Sequence, residues 1–165
     1  KLFHNEKSYR VFERLLETGL LKHLFQQTSN SKFIKKALNN TSERLKTNKS
    51  VTPAFLFSVF LWDSQNKHFN KFQKRNKSNF VAMHEASEEV ISRQIKQVLM
   101  PKWLSARVKD IWMMQHQLEK CSSKKVVDLI ANPRFRIAYD FLVLRSQSIN
   151  PELRDRAEYW TQIQN

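Results

Sequence analysis

A single glycine, Gly19, serves a chain of 165 residues. Tight β-hairpins need residues at positive φ, which glycine supplies far more readily than any other residue. No Asn-Gly or Asp-Gly pair occurs, so antiparallel sheet has almost nothing to turn on, and the chain is expected to be all-α. Apolar residues make up 41% and aromatic residues 12%, which suits a sequence with an interior to fill rather than a disordered tail. The length allows one compact domain or two small helical lobes sharing an interface.

Helical periodicity and punctuation then predict an irregular bundle of about seven to eight helices. Tyr9, Phe12, Leu16 and Leu20 form an apolar line on a first helix from about Asn5 to Thr18, which Gly19 can end in a left-handed cap. Ser29 or Ser31 can cap a second helix that buries Ile34, Ala37, Leu38 and Leu45. Thr52-Pro53 opens a run, Ala54 to Trp62, that is apolar on all sides and therefore belongs at the centre of the core. Phe80 to Val98 marks a long amphipathic helix ending before Pro101, and Leu104 to Leu118 the next. Ser123 can cap a short helix through Val126, Leu129 and Ile130, while Asn132-Pro133 and Asn150-Pro151 repeat the cap-then-proline device before the last two helices.

Catalytic chemistry is hard to assemble from these residues. Phosphoryl transfer assisted by two metal ions calls for converging carboxylates, yet no Asp-x-Asp occurs, and the adjacent Glu88 and Glu89 point about 100° apart on a helix. His84 and Glu88 share a helical face but lack a third ligand, and Cys121, the only cysteine, has neither a disulfide partner nor an activating neighbour. We expect no catalytic residue and no metal ligand.

Charge points to a different role. The net charge of +14, from 29 basic and 15 acidic side chains, exceeds what solubility requires and is naturally explained by a polyanionic partner. No stretch approaches the ~20 apolar residues that span a bilayer, so nucleic acid is favoured over membrane. One basic set, Lys67, Lys71, Lys74, Arg75 and Lys77, lies in a segment without acids, where Phe69, Phe72 and Phe80 offer stacking surfaces. The alternative, that these aromatics are core and the lysines a solvated connector, stays open at this point. A second set, Lys120, Lys124, Lys125 and Arg134, surrounds the entry to the penultimate helix, where helix N-termini favour phosphate. Arg136 belongs to it in sequence but has Asp140 at i+4 as a partner. A third run, Arg93, Lys96, Lys102, Arg107 and Lys109, spreads over several faces. Of Trp62, Trp103, Trp112 and Trp160, at least three are expected in the core, and Trp103, beside Pro101 and Lys102, is the one that can stay partly open.

The motifs resemble those of the bacterial poly(A) polymerase I family, within the class II nucleotidyltransferase superfamily. Ala131 to Arg145, running Ala-Asn-Pro-Arg-Phe-Arg-Ile-Ala-Tyr-Asp-Phe-Leu-Val-Leu-Arg, is similar to that family's arginine-rich carboxy-terminal signature. Glu158-Tyr159-Trp160-Thr161-Gln162 resembles its closing helix, Pro53 to Phe57 its Pro-Ala-Phe-Leu-Phe run, and Glu17 to Leu21 with Leu24-Phe25 its RNA-binding subdomain. The resemblance implies residues 1–50 as the downstream end of that subdomain and residues 51–165 as the carboxy-terminal helical domain. It implies a parent that adds AMP from ATP, with magnesium, to RNA 3′ ends. The Gly-rich loop and paired aspartates of the catalytic head are not in this sequence, so the chain alone is expected to be inactive, to need no cofactor, and to hold single-stranded RNA in the cytoplasm. RNA-decay proteins are further expected partners. A scaffold docking acidic RNA-processing proteins, or the body of a CCA-adding tRNA nucleotidyltransferase, are the alternatives.

Overall fold

The computed structural model describes residues 2–3, 5, 7–25, 31–75, 78–120 and 122–164. Lys77, Cys121 and the expected cap Ser29 lie outside these residues, as do the side chains of Ser31 and Ser123, the other two expected caps. Among the described residues there are ten α-helices and no strand: α1 (Ser8–Glu17), α2 (Leu21–Leu24), α3 (Ser31–Lys46), α4 (Pro53–Phe60), α5 (Trp62–Gln73), α6 (Asn79–Ile95), α7 (Lys102–Glu119), α8 (Val126–Ala131), α9 (Phe135–Ser148) and α10 (Arg154–Gln164). Short 3₁₀ turns precede α8 and α10.

Several local signals act as expected. Gly19 follows α1 at φ 69°, in the left-handed region. Thr52 accepts a hydrogen bond from the Phe55 amide ahead of Pro53, and Ser78 accepts one from Val81 at the start of α6. The apolar run after Pro53 divides at Leu61, so that α4 stays in the core while α5 carries the acid-free basic segment away from it. The first basic set is thus largely carried on helix.

Other signals act differently. Leu16 and Leu20 remain 50% and 52% exposed instead of continuing the buried line of α1. The reason is the neighbour: Ser8 bonds to the Leu38 carbonyl and the Ser42 hydroxyl, drawing α1 onto α3 through Ser8 and Phe12 and turning Leu16 outward. Asn132 bonds to the Arg134 amide in a turn before α9 rather than capping the helix, and Asn150 accepts from Arg145 Nε instead of capping a helix.

Two apolar clusters fill the interior. In the first, Phe12, Phe33 and Ile34 from the beginning of the chain pack with Phe60, Trp112 and Phe141. The second gathers Leu118, Phe135, Leu142 and Trp160 under α10. Two of the buried indoles donate to backbone, Trp112 to the Ser58 carbonyl at 3.2 Å and Trp160 to the Leu118 carbonyl at 2.9 Å. Helices α6 and α7 run antiparallel, with Asn79 beside His116 and Glu88 beside Lys109. Helix α9 runs parallel to α7: Arg134 meets Asp110, the Ala138 carbonyl meets Gln115, and Arg145 meets Glu119. That pairing fixes where each basic side chain emerges.

Candidate nucleic-acid interface

The fold gathers part of the first basic set and part of the second at one end of the bundle. Gln73, at the end of α5, donates to Asn79, whose Nδ2 lies 3.2 Å from Nε2 of His116 near the end of α7. This brings the α5–α6 turn, with Lys74 and Arg75, to the end of α7 where Lys120 stands. Lys124 and Lys125 follow on the exposed 3₁₀ turn. Lys71, Lys74, Lys120, Lys124 and Lys125 are all exposed and make no ion pair among the described residues. Lys67 differs, because Asp63 one turn earlier holds its Nζ at 3.1 Å. Arg75 lies over the Phe72 ring, 5.8 Å from its centroid, while Phe69 packs against the core and Phe80 is exposed.

Arg134 is placed elsewhere. It stands beside Asp110, with Nε 3.1 Å from the carboxylate, ten residues before Lys120 on the parallel neighbour, or about 15 Å along the helix axis. There it joins a cleft of about 500 Å³ between α3, the loop after it, α7 and the length of α9. Arg44, Arg107, Arg134 and Arg136 line this cleft together with Asp140, over a floor that includes Phe55, Ile137 and Leu144. Arg136 pairs with Asp140 at 3.3 Å, one helical turn on, as the spacing suggests. Burial pushes the Asp140 carboxyl above the ordinary carboxylate range, and the nearby Arg136 and Arg44 guanidiniums offset only part of that effect. Arg107 lies over the face of Trp103, which is 55% exposed, whereas Trp62, Trp112 and Trp160 are buried.

Arg145, the last residue of the sequence signature, has another job. Only 7% exposed, it donates to Gln115, Glu119 and Asn150 and lies 4.7 Å over the Trp62 ring. Burial pulls its pKa down and the Glu119 carboxylate holds it up, so the group is a charged, internally paired tie between α7, α9 and α5. The spacing Ala138, Phe141, Leu142, Arg145 already puts it on the buried stripe of its helix. Arg44 and Arg107 lack any comparable sequence signal as cleft residues, since they come from distant segments.

Among the described residues no group of three His, Cys, Asp or Glu side chains could hold a metal ion. His84 and Glu88 are 3.7 Å apart, and Glu88 also receives Lys109. What the surface offers chemically is cationic donors, guanidinium forks in a cleft and an open indole beside them. Such groups hold phosphates and stack bases.

Comparison with known proteins agrees with that chemistry. Residues 73–165 match the family described as "Polymerase A arginine-rich C-terminus", and residues 1–32 match "Probable RNA and SrmB- binding site of polymerase A". Poly(A) polymerase I of Salmonella typhimurium is 28% identical over 176 residues, covering 99% of this chain and 38% of the relative. The Salmonella typhi protein of that name is 29% identical over 163 residues, covering 96% of this chain and 35% of its own length. For the Haemophilus influenzae protein the identity is 27% over 175 residues, covering 99% and 39%. The chain thus spans well under half the length of these relatives.

Proposed function

The chain belongs to the family of polymerase A arginine-rich C-termini, and from that premise we propose that it is the RNA-holding part of a poly(A) polymerase. In this role it grips a single-stranded 3′ region while AMP units are added from ATP. ATP and magnesium act in a catalytic head outside this sequence, and the present chain contributes no catalytic residue. Residues 1–50 serve as the downstream end of an RNA-binding subdomain and residues 51–165 as the arginine-rich helical domain. The cytoplasm is the compartment this role implies. No helix among the described residues is long and apolar enough to cross a membrane.

One observation carries most of the support: Lys71, Lys74, Lys120, Lys124 and Lys125 are exposed at one end of the bundle without a carboxylate partner among the described residues. Cations so placed repel one another in the free protein, and a polyphosphate strand relieves that repulsion. Backbone neutralisation of this kind holds many sequences about equally. Titration of a fluorescein-labelled oligo(A) with the full chain, followed by anisotropy, tests the role. Binding is expected to weaken in the triple variant Lys124→Ala, Lys125→Ala, Arg134→Ala with helicity intact, and an unchanged affinity across salt concentrations would remove these residues from the interface.

A protein-docking role has support of its own. The segment matched by the RNA and SrmB description includes Leu2, Leu16 and Leu20, each about half exposed. Oligo(A) that leaves a bound protein partner in place would assign the two to separate surfaces.

A further inference from the structure

We propose that the arginine-lined cleft between α3, α7 and α9 is a phosphate-binding subsite that takes one nucleotide unit of a single RNA strand, separate from the lysines at the end of α7. This rests on the RNA-holding role proposed above and gives it a defined pocket.

The first support is charge. Four guanidiniums, those of Arg44, Arg107, Arg134 and Arg136, line the cleft, and two carboxylates answer them, Asp110 at Arg134 and Asp140 at Arg136. The surplus of two positive charges matches an anionic phosphate group rather than a neutral ligand.

Unused donors give the second. Each guanidinium has five N–H groups. Arg134 bonds Asp110 through Nε alone, which leaves its terminal nitrogens available. Arg44 reaches the Ser50 carbonyl through Nε and one terminal nitrogen, and Arg107 makes no hydrogen bond among the described residues, lying instead over Trp103. Guanidinium forks of this kind recognise two phosphate oxygens at once. The cleft also meets the first turn of α9, a 14-residue helix that no side chain caps: Pro133 and Arg134 just before it and Arg136 and Ile137 within it line the wall.

Size and surroundings give the third. A volume of about 500 Å³ falls in the range of small-ligand sites, roughly 300–1,000 Å³. The wall is mixed, with Phe55 and Val51 beside Asn40 and Thr41, as an amphiphilic nucleotide requires. Trp103, joined to the cleft through Arg107, presents an open indole on which the neighbouring base can stack. The turn that carries Lys124 and Lys125 contains no aromatic residue of its own.

Asp140 allows a test in which the variant gains binding. Its carboxylate occupies Arg136 and adds negative charge where phosphate would sit. Asp140→Asn removes that charge with little change in shape, so oligo(A) affinity of the full chain should rise about threefold to tenfold at low salt. Arg107→Ala with Arg134→Ala should lower it about tenfold or more, with circular dichroism unchanged. AMP and inorganic phosphate, titrated separately, distinguish the strand from free phosphate compounds; each should compete with oligo(A) only at far higher concentration. If Asp140→Asn fails to tighten binding and the arginine variant binds normally while Lys120→Ala, Lys124→Ala, Lys125→Ala loses affinity, the cleft assignment is overturned and the RNA-holding role stands. AMP that binds as tightly as oligo(A) would overturn the strand assignment in favour of a free nucleotide. A parent chain that binds no oligo(A) at all would instead remove the RNA-holding role itself.

Discussion

Arg145 at the end of α9 and Arg134 at its threshold belong to the same arginine-rich stretch but live under opposite physical conditions. Arg145 is enclosed, with Gln115, Glu119 and Asn150 accepting its hydrogen bonds and the Trp62 ring beneath it. Arg134 stands at the edge of a cleft with one donor engaged and its fork free. A buried guanidinium loses its hydration and must be repaid by neighbours, so its partners are structural. A partly solvated one keeps its hydration and can exchange it for phosphate. The arginine-rich stretch of this chain therefore holds both an internal tie and a solvated fork at the cleft.

The largest expected effect separates the two directly. Arg145→Ala leaves half-buried Glu119 without its cation, Gln115 and Asn150 without their donor and a cavity beside Trp62, and should lower the unfolding free energy by about 3 kcal/mol, whereas Arg134→Ala should change it by less than about 1 kcal/mol. Urea denaturation of both variants measures this, and equal losses would break the comparison. A smaller contrast comes from keeping the charge and deleting the fork. Arg145→Lys cannot reach the same acceptors and should still lose about 2 kcal/mol, while Arg136→Lys, at an exposed guanidinium one turn from Asp140, should be within about 0.5 kcal/mol of the parent.

The smallest effect concerns Asp140. Burial raises its pKa in the fold, so the stability linked to its protonated form is present below the ordinary carboxylate range and lost as pH rises through the raised value. Asp140→Asn is neutral at every pH. Its melting temperature should therefore be no lower than the parent's at neutral pH, and the difference should shrink as the parent's carboxyl protonates in acid. A variant that melts well below the parent at pH 7 would show that the Arg136 pair outweighs burial.

How much of this the sequence carries depends on the range of the interaction. Thr52-Pro53, Gly19 and the Arg136–Asp140 pair are local devices whose partners lie within a turn, and they appear in the fold as their spacing suggests. Leu16 and Leu20 show the limit, because a hydroxyl contact between Ser8 and α3 decides which face of α1 is buried. Division of the apolar run at Leu61 has no glycine or proline to announce it. The cleft could not be read ahead of the structure for a related reason. Arg44 reaches it because Phe33 and Phe55 pack on Phe141, bringing α3 and α4 against α9, and Arg107 because α7 pairs with α9. Lys124 and Lys125 are legible as a basic turn, yet their separation from Arg134 follows from the parallel pairing of α7 and α9.

Phosphate neutralisation by cations the fold leaves unpaired is the central claim, and the salt dependence of oligo(A) binding tests it most directly. For single strands the logarithm of the association constant should fall with the logarithm of salt concentration by about 0.7 per phosphate neutralised. The parent chain should show a steep slope, and the variant lacking Lys71, Lys74, Lys120, Lys124 and Lys125 a markedly shallower one. A slope near zero in the parent, or one that this variant leaves unchanged, would contradict the account.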